Sequence, residues 1–302
     1  MEYGYSDSIV MEYGPLRMVL CPSCGGRILE FSFKGQNALY VDPRQNGWLS
    51  TPGKKRIDPC GGRFDLGPEK IIADHPRLWL GRWNVLKKEP LRVLLESPSD
   101  HSLGIRLERE FIFDPLKEIL RINESIHNIS KKEVSLCYWS RTLAKGAGLC
   151  FVPLDSSSRF PNHYVMYGKK DTIFYRPEDP AIIRQSDMLA VISPPRYAKL
   201  GMDSEKGWLG YVTPDNLLFL KRFPVFPERR YNEMAAFTVS VYYYKNKFCE
   251  IEPIGPEEKI SPGSKVCFWE EWKLLPWKPC NNVFPSASNA VKRIYKKAFF
   301  HD

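Results

Sequence analysis

Apolar and polar residues alternate with a period of two along most of this chain. Leu120, Ile122, Glu124 and Ile126 alternate with Arg121, Asn123, Ser125 and His127. Phe237, Val239, Val241 and Tyr243 alternate with Thr238, Ser240 and Tyr242. Successive side chains of a strand point to opposite faces, so these runs predict half-buried strands. Turn residues separate them at short intervals: Gly25-Gly26, Gly61-Gly62, Asp114-Pro115, Asn128 to Lys131, Pro214 to Asn216 and Lys245-Asn246. Strands joined by short turns predict an all-β antiparallel sandwich or barrel and argue against a βαβ fold.

The clearest pair lies near the C-terminus. Residues 248–252 read as a strand whose acidic end carries Glu252, Pro262-Gly263 as a tight reversal, and 266–274 as the return strand. A carboxylate at a strand end is where a sandwich can present a base to a groove; the plainer alternative is a bond to a neighbouring strand. Two segments break the period. Residues 155–203 carry Ser156-Ser157-Ser158, Arg176-Pro177, Asp179-Pro180 and Pro194-Pro195, and read as a loop-rich excursion over one face. The tail has a helical stripe of Ala290, Val291, Ile294, Tyr295 and Ala298, with Ser288 as its cap and Lys292, Arg293, Lys296 and Lys297 toward its C-terminal end. This organisation predicts one principal domain over 1–280 and a helical tail over 281–302.

Composition narrows the class. The chain has 302 residues, 43% of them hydrophobic, enough for a large core and too apolar for disorder. No apolar run approaches the roughly 20 residues of a membrane span, so no membrane partner is expected. Met1 to Ser8 shows neither a basic segment nor an apolar stretch and does not read as a secretory signal. Cys137, Cys150, Cys249 and Cys267 lie in apolar strand-like runs, which predicts buried free thiols and a reducing, cytoplasmic setting. The net charge, 44 − 35 = +9, is scattered in doublets such as Lys87-Lys88 and Arg229-Arg230, the pattern of a solvated surface rather than a nucleic-acid track. Cys21 and Cys24 have the spacing of a zinc knuckle, but Cys60 is the only third thiol nearby and no second pair follows. A tetrahedral site lacks its fourth ligand, so no metal is expected.

The order of several short motifs resembles the galactose mutarotase-like superfamily. Gly25-Gly-Arg-Ile-Leu-Glu-Phe31 and Gly35-Gln-Asn-Ala-Leu39 are similar to its opening hairpin, and Gly61-Gly-Arg-Phe-Asp-Leu-Gly-Pro-Glu69 to an arginine-bearing loop that faces substrate. Asp74-His75-Pro76, with Trp83 downstream, resembles a histidine segment of the hexose-phosphate branch. Residues 120–128 and Ser135-Leu-Cys-Tyr-Trp-Ser-Arg-Thr142 match a strand pair that normally delivers a histidine, and Glu252-Pro253 matches the terminal catalytic glutamate. The resemblance spans about residues 17–275 and implies an antiparallel β-supersandwich with a carbohydrate ligand and no cofactor. It implies Glu252 as general base and His75 as acid, with Arg63, Glu69, Trp139 and Arg141 holding the sugar and Trp139 its stacking face. Where that family places a second histidine this chain has Arg141, and a guanidinium does not give up its proton. His163 is a further histidine that could stand in. A non-catalytic sugar-binding module and a lyase-like activity on acidic glycans are the alternatives to epimerase chemistry.

Overall fold

The structure is a computed structural model and describes residues 1–169, 172–185, 187–278 and 286–300. In chain order the first strands are β1 (Ile9–Tyr13), β2 (Leu16–Cys21), β3 (Arg27–Phe33), β4 (Gln36–Asn37) and β5 (Gly62–Gly67). A one-turn helix, α1 (Pro76–Leu80), precedes β6 (Asn84–Glu89), β7 (Arg92–Glu96), β8 (Ile105–Asp114), β9 (Ile119–Asn128), β10 (Val134–Lys145) and β11 (Leu149–Pro153). Short strands follow: β12 (Val165–Tyr167), β13 (Ile173–Phe174), β14 (Ile182–Gln185), β15 (Met188–Val191) and β16 (Lys199–Met202). The chain then forms β17 (Trp208–Val212), β18 (Leu217–Arg222), β19 (Val239–Tyr244), β20 (Phe248–Ile260), β21 (Lys265–Pro276) and α2 (Ser286–Phe299).

These strands make two antiparallel sheets. One runs β1-β2-β3-β5-β10-β20-β19-β16-β12-β13, with β4 on β3; the other runs β14-β15-β11-β17-β18-β21-β9-β8-β7-β6. The all-β antiparallel sandwich expected from the alternation is what the chain forms, in the supersandwich form that the resemblance implied. Alternation also decides which residues meet between the sheets. Phe64, Leu66, Tyr138 and Ile251 of the first sheet pack in one core with Ile122, Phe219 and Trp272 of the second. Phe31, Phe219 and Trp272 contact one another there at ring-centroid distances of 5.1–5.8 Å. The opposite phase of the first sheet, with Arg63, Asp65, Trp139, Arg141, Glu250 and Glu252, points to its outer face.

Several expectations need correction. Glu252 is not at a strand end: β20 runs on for eight more residues to Ile260. A register shift between Cys137 and Trp139 of β10 places the bulge of β20 beside Pro256, where a missing N–H is tolerated. The Pro262-Gly263 reversal joins the two sheets instead of closing a hairpin, because β20 and β21 are never neighbours. Within residues 155–203 the short strands β12 to β16 extend both sheets. Ser288 does not cap α2 but lies within it, buried. The helix covers the outer face of the second sheet, with Val291 and Tyr295 against Trp208, Leu218 and Leu220. Tyr295 stacks on Trp208 at 4.2 Å. Cys137, Cys150 and Cys249 are buried free thiols, but Cys267 is exposed. The boundary expected at 280/281 lies outside the described residues. No helix of the described residues is long and apolar enough to cross a membrane.

Candidate functional site

Pairing across the first sheet sets out a row of side chains before any ligand is considered. Arg63 of β5 pairs with Arg141 of β10. In the register fixed by Trp139↔Ile254 and Leu143↔Glu250, Arg141 lies opposite Glu252 of β20, and Glu252 pairs with Ser240 of β19. Asp65 pairs with Trp139 in the next row, and Glu250 with Tyr242 in the row before. Gly61 makes this start possible: its φ is +87°, and a Cβ there would lie 2.1 Å from the Ile28 carbonyl oxygen.

A cleft of about 540 Å³ opens on this face. Arg63, Asp65, Trp139 and Arg141 wall it from the sheet, and Asp58, Glu69, His75 and Trp79 from the segments on either side of β5. Arg63 is buried and bonds Asp58 at 2.5 Å and Asp65 at 3.3 Å. Arg141 reaches three carboxylates: Glu250 at 3.2 Å, Glu252 at 3.4 Å and Asp65 at 3.6 Å. Lys199 of β16 lies 4.4 Å above the Trp139 ring and 3.7 Å from Glu69.

The charges are mutually fitted. Burial opposes ionisation of Asp65, but the His75 hydrogen bond and the charges of Arg63 and Arg141 outweigh it and hold the carboxyl well below its usual range. Burial opposes the charge on His75 too, and Asp65 again outweighs it, raising the imidazole above its ordinary value. The ring is 2.9 Å from the Ala73 carbonyl oxygen through Nδ1 and 2.9 Å from Asp65 Oδ1 through Nε2. Both partners are acceptors, so both nitrogens donate and the ring is an imidazolium. Arg141 stays protonated because its carboxylates outweigh its burial. Glu250, pushed by burial and by Glu252 and only partly relieved by Arg141, rises to about 8.

The structure brings Arg63, Glu69, His75, Trp139 and Arg141 to one cleft and sets Glu252 directly behind Arg141. Glu252 is 0% exposed, and neither of its carboxylate oxygens has a hydrogen-bond partner within the chain. Trp139 offers no open stacking face, contrary to expectation: it is 1% exposed, and Lys199 and Arg141 occupy the space over its ring. Trp79, half-buried with Arg63 5.1 Å from its ring, is the aromatic at the cleft wall. His163 does not line the cleft, and His127 pairs with Glu108 at 2.8 Å on the other sheet. Cys21, Cys24 and Cys60 are buried. Arg27 approaches Cys60 Sγ at 3.6 Å, which puts a cation where a metal would need anionic ligands. Among the described residues no group of three or more His, Cys, Asp or Glu side chains is placed to hold a metal ion.

Sequence reasoning missed Asp65, Glu250, Lys199, Glu233 and Tyr167. Asp65 and Glu250 each lie two positions from a residue it did select, so period-two alternation puts them on the same face and could have found them. Lys199 and Tyr167 come from the weakly periodic excursion, where no such signal exists. Glu233 Oε1, Tyr167 OH, Trp139 Nε1 and Ser240 Oγ are buried without a hydrogen-bond partner in the chain. Orphaned polar atoms are uncommon in folded proteins, and their gathering around one face marks it as chemically unusual.

Neither a protein-family model nor a curated protein sequence matches this chain. Solved structures do. A galactose mutarotase related enzyme from Lactobacillus acidophilus superposes with a TM-score of 0.63 at 10% identity, over 90% of this chain and 100% of that one. A galactose mutarotase-like protein from Lactobacillus casei gives 0.61 at 10% identity, over 89% and 100%. An aldose epimerase homologue from C. elegans gives 0.54 at 12% identity, over 90% and 100%. The chain therefore has the galactose mutarotase-like fold, in a form far diverged in sequence.

Proposed function

We propose that the cleft binds an uncharged sugar and that Glu252 carries epimerase-type proton chemistry at its anomeric carbon. The observation that supports this most is Glu252 itself, a buried carboxylate with two orphaned oxygens, in one row with Arg63 and Arg141. A buried charge this poorly solvated is costly unless it serves a purpose. In this reading the base takes the proton of the anomeric hydroxyl while an acid protonates the ring oxygen. The C–O ring bond breaks, the aldehyde end rotates, and the ring recloses as the other anomer. Arg141 stands between Glu252 and the cleft, so its guanidinium moves onto the sugar oxygens during binding, with Arg63 as the second clamp. Glu69 and Trp79 meet the sugar from the covering segment. His75 contributes as a fixed positive charge, because both of its ring N–H groups are spent on Ala73 and Asp65.

Local charge selects the substrate class. Arg63, Arg141, Lys199 and His75 each already face a carboxylate, and the acids around them are Asp58, Asp65, Glu69, Glu250 and Glu252. Among these described residues no cation is left over for a phosphate or a uronate. This disfavours lyase-type action on acidic glycans. The free thiols suit a reducing compartment such as the cytoplasm.

A second reading, a sugar-binding module without catalysis, is favoured by the bound imidazolium of His75 and the seal of Arg141 over Glu252. Polarimetry and saturation-transfer NMR on freshly dissolved aldoses separate the two. Catalysis predicts accelerated anomer exchange that falls by about 10²–10⁴-fold in Glu252→Gln. Saturable sugar binding with an unchanged exchange rate leaves only the binding module, and no binding of any uncharged aldose removes both.

A further inference from the structure

The site lacks an evident acid. His75 is tied to Asp65, and Arg141 occupies the strand position that a histidine would hold. The side chains around Arg141 supply another candidate. Glu250 and Glu252 stand two residues apart on one face of β20, and Arg141 contacts both, at 3.2 and 3.4 Å. Both are almost wholly enclosed, at 2% and 0% exposure. Arg141 therefore holds both carboxyl groups against one guanidinium, and of two carboxyls crowded into one enclosed site one keeps its proton. One guanidinium cannot neutralise two enclosed carboxylates that also face Asp65.

We propose that Glu250 and Glu252 form a proton-sharing carboxyl pair, with Glu250 the general acid and Glu252 the general base of anomer exchange. The catalytic half of this rests on the sugar reading above; the shared proton does not. In the resting site Glu250 is the acid and Glu252 the carboxylate. On ring opening Glu252 takes the proton of the anomeric hydroxyl, Glu250 gives its own to the ring oxygen, and the ring C–O bond breaks. The pair then holds one proton still, now on Glu252. Reclosure on the other face returns each proton to its starting carboxyl, so nothing is consumed and no co-reactant is needed. Arg141 faces whichever member is ionised at each stage. Two acids with environments that pull their proton affinities apart are the usual arrangement for divided acid and base roles.

The other charged groups near the pair fit this assignment. On β5, Arg63 and Asp65 offset each other at 3.3 Å, and Asp58 engages Arg63 at 2.5 Å. On β19, Tyr242 lies opposite Glu250 and its phenol is raised, mainly by burial. On β12, burial raises the Tyr167 phenol strongly, so both phenols are neutral. From the second sheet, Lys221 spends its charge on Glu270 at 2.8 Å. Arg141 is left as the cation for the pair, and burial drives Glu250 up to about 8 in agreement with a retained proton.

Infrared spectroscopy of the protonated carboxyl stretch tests the pair without any sugar. The whole protein at neutral pH should show a buried carboxylic-acid band that disappears in Glu250→Gln and also in Glu252→Gln, where Glu250 is left alone with Arg141 and ionises. If glutamine at 250 does not fold, as judged by circular dichroism, Glu250→Asp serves: the band should shift in frequency. A spectrum identical in wild type and in the folded variants overturns the shared proton. Anomer exchange of uncharged aldoses then tests the roles. Glu250→Gln should lose about 10²-fold or more in rate while keeping sugar binding, and exchange unaffected by Glu250→Gln overturns the acid assignment. If the band behaves as stated but wild type exchanges no aldose, the epimerase reading fails and the proton-sharing pair stands.

Discussion

Replacing Arg141 with methionine removes the cation that three carboxyl groups share while keeping a side chain of similar length. Asp65 retains Arg63 at 3.3 Å and His75 at 2.9 Å, so the uncompensated charge falls on Glu250 and Glu252. Removing one partner of a buried ion pair costs about 3–5 kcal/mol. Protonation sets a ceiling on that cost, because a stranded carboxylate can take up a proton instead. At pH 8, roughly three and a half units above the ordinary glutamate value of 4.5, that escape costs about 5 kcal/mol per group, and at pH 5.5 only about 1.4 kcal/mol. The sign follows from linkage. Glu250 has a folded value raised above its unfolded one, so the stability linked to it is fully present below about pH 4.5 and is lost as pH climbs through about 8. Arg141→Met is therefore expected to lose about 3–5 kcal/mol at pH 8 and less than half of that at pH 5.5, measured by urea unfolding followed by circular dichroism. Arg141→Lys, which keeps a charge, should lose markedly less at pH 8. An equal loss at both pH values, or a loss below about 1 kcal/mol at pH 8, would refute the view that this guanidinium holds buried carboxylates in place.

Further outcomes follow from other parts of the molecule. His75 has a folded value raised above its ordinary one, so its pairing with Asp65 stabilises fully below about pH 6.5 and fades as pH rises through the higher folded value. His75→Gln should cost more stability at pH 6 than at pH 9 in thermal melts, and a pH-independent cost contradicts the imidazolium assignment. Lys221, fully buried, bonds Glu270 at 2.8 Å, Ser140 at 3.1 Å, Thr142 at 3.0 Å and the Ile251 carbonyl at 3.1 Å. Lys221→Met strands Glu270 between the sheets and should cost about 3–5 kcal/mol in denaturant unfolding; a neutral outcome would mean that Tyr138 and Trp272 alone hold that carboxylate.

Alternation made the fold legible because a strand's two faces are decided by parity, a local property. Residues 120–127 and 237–243 were assigned to strands that way; 120–127 lies in β9 and 239–243 in β19 with their apolar phases in the core, while Phe237 and Thr238 precede β19. Parity failed where local signals conflicted. The strand read over 248–252 was taken to end at Glu252, yet β20 runs on through Pro253 and Pro256 to Ile260, since a bulge and flanking strands accommodate residues that lack an N–H. The excursion over 155–203 showed almost no period, and its five strands form because existing sheet edges offer them partners. Cys267 has apolar neighbours in sequence but sits in the phase of β21 that faces water.

The candidate site divides in the same way. Arg63, His75, Arg141 and Glu252 were legible as residue types in an order that resembles a known family, and the residues two positions away, Asp65 and Glu250, could have been inferred from strand parity. The chain alone determined that strands dominate, which side chains share a face of each strand, and that acids and arginines alternate with core residues near the site. Only tertiary structure decided that Arg141 lies against Glu250 and Glu252, that His75 is tied to Asp65, and that Lys199 covers Trp139. Register between strands distant in sequence is fixed by the packing of the whole core, and a charge acquires its chemical role only from the groups that this register places within a few ångströms of it.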